Sequence, residues 1–228
     1  MIHVSRGLHS LANGIAYEKK VADAIRRLKY NGHTIIVPET TAGANSKNND
    51  IMMTIQGREY AVEAKNRGAF EGGGKRFQVT ESGLRIPEDG LHKDLLGDYI
   101  PWGGRVPSFL RGNKSLELWN LEKDTFKDEY LQVAPETICQ YYRQKGATYI
   151  QIEDKGIYHT GEDCLSLNVP LFSCSIKIRI RCKRHTSGPM PSSVQASFVY
   201  HRKTIVPSPY DFVLAPPPCF TRTEEVVE

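Results

Sequence analysis

Residues 49–65 read NDIMMTIQGREYAVEAK, with Asn49 and Asp50 at one end and Glu63, Ala64 and Lys65 at the other. Apolar and polar residues alternate on both sides of Gly57, which is the pattern of a β-hairpin. With Gly57-Arg58 as the two-residue turn, glycine first as a type II′ turn requires, Gln56 stands opposite Glu59, Met52 opposite Glu63 and Asp50 opposite Lys65. Opposed residues share a face and successive residues alternate between faces. Ile51, Met53 and Ile55 then form the buried face with Tyr60, Val62 and Ala64, while Asp50, Glu63 and Lys65 gather on the other. Such a charged face is either simply solvated, with Asp50 and Lys65 as a weak cross-strand ion pair, or a place where three charged groups converge for chemistry.

The flanking sequence bears on that choice. Between residues 12 and 30, Val21, Ala22, Ile25 and Leu28 recur at helical spacing, and Asn31-Gly32 reads as the helix stop. One turn earlier the same stripe reaches Glu18, a carboxylate on the core-facing side. Burial of a lone carboxylate is costly without a cation or hydrogen-bond donors, and a metal ion would serve. HTIIV at 33–37 reads as a strand ended by Pro38, and a polar loop covers 39–48. Residues 67–76 hold Gly72-Gly73-Gly74 between basic residues and read as a mobile loop, beyond whose hinge Lys75 and Arg76 are placed to close over a substrate or to finish an exposed loop.

Farther on, residues 87–107 are rich in glycine and proline and read as mostly loop, with a short helix over 91–96. A helix starting near Pro135 runs through Ile138, Cys139 and Tyr142 to Gly146. Strands are expected over 148–152, 156–158, 175–182 and 194–200, and from Pro207 the prolines and the acidic end suggest a loosely packed tail. The expectation is one main domain over 1–206, with a loop-rich insert around 80–115, and a tail over 207–228: a mixed α/β core whose sheet is flanked by helices.

Composition narrows the function classes. At 228 residues, 39% hydrophobic and 25% charged, the chain can bury a sizeable core. It has no apolar run long enough to cross a bilayer, and the N-terminus shows no signal core, so a soluble, cytoplasmic protein without membrane association is expected. Five cysteines, an odd count with no CxxC pair, argue against a disulfide framework and a zinc finger. The seven histidines show no metal-binding spacing. Net charge is only +4, but SIKIRIRCKR at 175–184 contains no acid. Lys177, Arg179, Arg181 and Lys183 alternate there with Ile176, Ile178, Ile180 and Cys182, so a strand would carry four cations on one face. That face fits a nucleic-acid backbone, or else a solvated edge guarded by cations. Arg105, Arg111 and Lys114 in the insert are further contact candidates, against the plainer reading of an ordinary loop. Tyr141, Tyr142 and Trp119 read as core or partly buried aromatics.

An acid at the hairpin entrance, Glu63-Ala64-Lys65 at its exit and Glu18 on the preceding helix resemble the PD-(D/E)xK nuclease superfamily. Asn49 stands where that family often has proline, and Gln78, in Arg76-Phe77-Gln78-Val79, where several branches carry a further polar residue. The resemblance covers roughly residues 12–80, with the helix and strand at 135–152 as the rest of the core. It implies a restriction-endonuclease-like mixed central sheet flanked by helices, with extra C-terminal strands. It implies Mg²⁺, with Mn²⁺ as substitute, held by Asp50, Glu63 and the Ala64 carbonyl, with Glu18 acting through a water or on a second ion. Lys65 would orient the attacking water and stabilise the transition state. The implied activity is metal-dependent endonucleolytic hydrolysis of DNA, with a homodimer favoured if both strands of a duplex are cut. Alternatives are a Holliday-junction resolvase or other structure-selective nuclease, or a non-catalytic nucleic-acid-binding protein on the same fold. A compact lone nuclease of this size suits a phage, virus or mobile element.

Overall fold

The structure is a computed structural model and describes residues 6–39, 50–67, 71–87, 90–184 and 188–223. Along the chain run α1 (Arg6–Arg26), β1 (Leu28–Tyr30), β2 (His33–Ile36), β3 (Ile51–Ile55) and β4 (Arg58–Lys65). There follow β5 (Glu71–Arg76), β6 (Gln78–Thr80), β7 (Gly83–Arg85), α2 (Leu91–Leu96), α3 (Leu116–Glu122) and β8 (Glu129–Gln132). The chain continues with α4 (Thr137–Gln144), β9 (Tyr149–Ile152), β10 (Gly156–His159), β11 (Ile176–Arg184), β12 (Pro191–Tyr200) and β13 (Phe220–Arg222). Mixed α/β architecture is thus as the sequence suggests. The described residues fall into two compact units: one from the stretches up to 67, 136–174 and 202 onward, the other from 71–135 and 175–201.

The first unit is built on a seven-stranded sheet of order β10-β9-β4-β3-β2-β1-β13. Strands β2, β3 and β4 form an antiparallel meander, and β9, reached through α4, lies parallel to β4. In the hairpin Ile51 pairs with Val62, Met53 with Tyr60 and Ile55 with Arg58, so the turn is Gln56-Gly57. Both turn residues have positive φ, 50° and 76°, as a type I′ turn demands. The expected turn lay one residue later, which displaces the pairing by two residues. An even displacement leaves every side chain on its expected face. Ile51, Met53, Ile55, Val62 and Ala64 accordingly join Tyr17, Val21, Ala22 and Ile25 of α1 in one core.

Two expectations change for local reasons. Asn31-Gly32, read as a helix stop, is the turn of a hairpin in which Lys29 pairs with Thr34 and Tyr30 with His33. Its φ values of 47° and 83° are again those of a type I′ turn, and α1 ends earlier, at Arg26. The segment read as a loose tail belongs to the first unit through residue 223. Strand β13 pairs with β1, and Phe212 and Phe220, buried in the core, meet edge to face at 5.6 Å. The Tyr210 carbonyl accepts from Ile157 N at 2.8 Å, beside Gly156, where a Cβ would collide with that same oxygen. The prolines there lie in coil and turns between β12 and β13, and Phe212 and Phe220 are buried in the core all the same. The acids at 224–228 lie outside the described residues.

The second unit has a four-stranded antiparallel sheet of order β5-β12-β11-β8 and the small hairpin β6-β7. Residues 71–76, expected to be part of a mobile loop, form β5. Its glycines lack strand propensity, but the backbone hydrogen-bonds to β12, where the register shifts between Ala196 and Phe198. Ile176, Ile178 and Ile180 of β11 are buried, as the alternation required. Helix α2 spans the expected residues 91–96. Trp102 meets Phe126, and Phe109 meets Trp119, each edge to face.

Candidate active site

Asp50 directly precedes β3, and Glu63 and Lys65 lie two residues apart on β4, on the same face. Asp50 is 6% exposed and Glu63 only 2%. Asp50 Oδ2 accepts from the Ala64 N–H at 2.9 Å, which carries the β3–β4 pairing one side chain beyond the end of β3. Lys65 ion-pairs with Glu63 Oε1, and its Nζ stands 3.6 Å from Asp50 Oδ2. The three hairpin residues picked out in the sequence therefore meet, but as a buried cluster rather than on a wet face.

A fourth group closes the cluster and was not foreseen. Lys145 follows the last turn of α4, before Gly146 turns the chain with φ 87°, and its Nζ is 2.5 Å from Glu63 Oε2. Both oxygens of Glu63 are thus held by ammonium groups. The signal available in the sequence was slight: a lysine beside a helix-stop glycine, just ahead of a strand that pairs in parallel with β4. A cation there is favourable at the negative end of the helix dipole as well.

Glu18, on α1, lies in the field of the same groups. Its Oε2 is buried and has no hydrogen-bond partner. Burial pushes its carboxyl up to about 7; Asp50 and Glu63 add to the rise, while Lys65 and Lys145 oppose it. Burial likewise raises the Asp50 carboxyl, against the pull of Lys65, Lys145 and the Ala64 N–H and with the push of Glu63. Tyr141 is partly buried, within the expectation of a core or partly buried aromatic; burial and then Glu63 raise its hydroxyl, so it is a protonated group in the field of the site. Tyr142 and Trp119 are buried as expected.

The remaining candidates belong to the second unit. Gln78 is exposed on β6, and Lys75 and Arg76 sit on opposite faces of β5. Arg105 Nε donates to the Trp102 carbonyl at 3.1 Å, and Arg111 and Lys114 are exposed. Lys177, Arg179, Arg181 and Lys183 share one face of β11. Lys177 Nζ lies 4.2 Å from the centre of the Tyr130 ring, and Arg179 and Arg181 both reach Glu71, which comes from the far edge of the sheet. Asn49 lies outside the described residues.

For a hard cation the donor chemistry fits in kind: carboxylate oxygens from Asp50 and Glu63, the Ala64 carbonyl, and an unpartnered buried oxygen on Glu18. Among the described residues, no three of His, Cys, Asp and Glu are drawn together as a ligand cluster. Glu63 instead faces two lysines, so an ion would take the place of one of those contacts. No helix among the described residues is long and apolar enough to cross a membrane. Comparisons with protein-family models, with curated proteins and with solved structures return no match for this chain.

Proposed function

We propose that the first unit is a divalent-metal-dependent nuclease of the restriction-endonuclease-like kind, hydrolysing phosphodiester bonds in DNA at Asp50, Glu63 and Lys65. The observation that carries the reading is the convergence of two buried carboxylates and a lysine at one end of a β-hairpin, beside a helix carboxylate with an unpartnered oxygen. The order of elements agrees with it: a helix, an antiparallel meander, a helix, then a strand parallel to the meander's last strand.

Asp50, Glu63 and the Ala64 carbonyl would hold Mg²⁺ or Mn²⁺, with Glu18 alongside; when bound, such an ion activates water and neutralises charge on the phosphate. The chain's own contribution is electrostatic and positional. Three carboxylates face two ammonium groups, which leaves one net negative charge when all are ionised and none when Glu18 holds its proton. Lys65, held between Asp50 and Glu63, is placed to orient a water and to stabilise charge developing on the phosphate oxygens. The Ala64 N–H fixes Asp50 in its rotamer, and Lys145 fixes Glu63.

The test is incubation of the purified protein with supercoiled plasmid, linear duplex, single strands and a four-way junction, each with Mg²⁺, Mn²⁺ or chelator. Cutting that requires the metal supports the reading, and the preferred substrate separates a duplex cutter from a junction resolvase. Absence of cutting on every substrate in both metals, with nucleic-acid binding retained, favours the non-catalytic reading in which the lysine–carboxylate cluster is structural.

A further inference from the structure

The four cations of β11 do not stand alone on their face of the second unit's sheet. Paired residues share a face, so Arg179 stands beside Ser197, and Arg181 beside Gln195 and then Arg76. Glu71, opposite Val199, lies on that face too. Its carboxylate is the acceptor for the centre of the array: Arg179 Nη2 donates to Oε2 at 3.1 Å, Arg181 Nη2 to the same oxygen at 2.9 Å, and the Ser197 hydroxyl to Oε1. Asp128 adds a looser contact, 3.6 Å from Arg179 Nε.

Two features of this arrangement are out of balance. Each guanidinium has five N–H donors, yet two of them share one carboxylate oxygen, and neither Nε–H has a hydrogen-bond partner. Charge is uneven as well: among the described residues, the ion pairs of Arg179 and Arg181 go to Glu71 and Asp128, while Arg76, Lys177 and Lys183 add three further cations to the same face. An oxyanion held between two arginines and a serine hydroxyl is the chemistry of a phosphate site. Here a glutamate from the same sheet occupies the oxyanion position. The glycines that follow Glu71 bring no side chain over the neighbouring part of the sheet.

We propose that this face is a binding surface for the phosphate backbone of nucleic acid, and that Glu71 is a built-in competitor whose carboxylate occupies the central phosphate position until a backbone phosphate displaces it. The inference rests on the nucleic-acid part of the reading above and not on the chemistry at Asp50, Glu63 and Lys65. Glu71 thereby sets how readily the surface releases its ligand: phosphate takes over Arg179, Arg181 and Ser197 only where several flanking cations add their attraction. A polyanion is held and a lone anion is not.

The experiment measures binding of a fluorescein-labelled DNA duplex by anisotropy in chelator, so that cutting plays no part. Glu71→Gln keeps the shape and an acceptor for Ser197 while removing the charge. It is expected to raise affinity about fivefold near ~0.1 M salt and to steepen the salt dependence by about one phosphate equivalent. Arg181→Gln, and separately Arg76→Gln, which does not touch Glu71, are expected to weaken binding and flatten that dependence by about one equivalent each. Inorganic phosphate is expected to displace the duplex only as much as sodium chloride of equal ionic strength. A folded Glu71→Gln protein that binds no tighter than wild type overturns the competitor role. Unchanged binding in both arginine variants overturns the nucleic-acid surface, and displacement by inorganic phosphate beyond its ionic strength overturns the discrimination against a lone anion that the competitor role requires. A protein that binds as described but cuts nothing fails the nuclease reading alone, and one that cuts without these binding changes fails this inference alone.

Discussion

Lys145 Nζ lies 2.5 Å from Glu63 Oε2 while Lys65 ion-pairs with the other oxygen of the same carboxylate, so one buried acid is held by two lysines 80 residues apart in sequence. Burying a carboxylate is tolerable only with such partners, and removing one exposes the cost. Lys145→Met is expected to destabilise the protein by about 2 kcal/mol in urea denaturation. That is less than the ~3–5 kcal/mol typical when a buried charge loses its only partner, because Lys65 remains. Adding Glu63→Gln to Lys145→Met should recover part of the loss, a coupling that a double-mutant cycle measures directly.

The same variant tests the proposed metal site. Without the Lys145 ammonium, the negative charge at Glu63 is less compensated, and a divalent ion meets less opposition. The Mg²⁺ concentration for half-maximal cutting is expected to fall in Lys145→Met. A rise would mean that Lys145 helps to shape the metal site rather than competing with it.

Glu18 makes stability depend on pH with a definite sign. Its folded carboxyl holds a proton up to about pH 7, whereas in the unfolded chain it releases it near 4.5. Between these values the folded state binds more protons, so stability falls as pH rises and levels off above 7. Asp50, also raised, contributes in the same direction. Urea midpoints at intervals from pH 4 to pH 8 should show that fall, and Glu18→Gln should remove the Glu18 share of it. A metal ion favours the ionised form, so on the proposed reading the Mg²⁺ concentration needed for cutting should fall as pH rises from about 6 to 8.

The turn at Gln56-Gly57 requires two left-handed residues. Gly57→Ala is expected to cost about 1 kcal/mol, as an L side chain in that region does. Gln56→Asn is expected to be neutral or slightly stabilising, since asparagine tolerates the conformation better. Thermal melts of both variants check the register from which the site is built.

The segment after residue 206 is part of the first unit's core. Phe212→Ala removes a 1%-exposed ring and is expected to cost about 3–5 kcal/mol. A chain ending at Val206 loses β13 with Phe212 and Phe220 and should lack a cooperative melting transition by circular dichroism. A truncated protein that melts as wild type does would contradict the pairing of β13 with β1.

The core of the site was legible because alternation is a two-residue signal. Misplacing the turn by one residue moved the partners by two, and Asp50, Glu63 and Lys65 stayed on one face all the same. What escaped depended on distant partners. Asn31-Gly32 serves equally as a helix stop or a hairpin turn, and only the pairing of Tyr30 with His33 decides between them. The glycines of β5 carry no propensity for a strand that β12 nevertheless imposes. Lys145 and Glu71 were invisible for the same reason: each is an ordinary charged residue until the sheet sets it beside a group some 80 to 126 positions away. Prolines after residue 206 resembled a tail because composition does not reveal that Phe212 and Phe220 meet in the core.

The most direct measurement is the rate of supercoiled-plasmid nicking in Mg²⁺ by wild type, Asp50→Asn and Lys65→Met, each shown to be folded by circular dichroism. Asp50→Asn keeps an acceptor for the Ala64 N–H, and Lys65→Met keeps the side-chain volume, so loss of fold should not confuse the result. Wild type is expected to nick the plasmid only with metal, and both variants to be slower by about 100-fold or more. Folded variants that nick at the wild-type rate would contradict the assignment of Asp50 and Lys65 to the reaction.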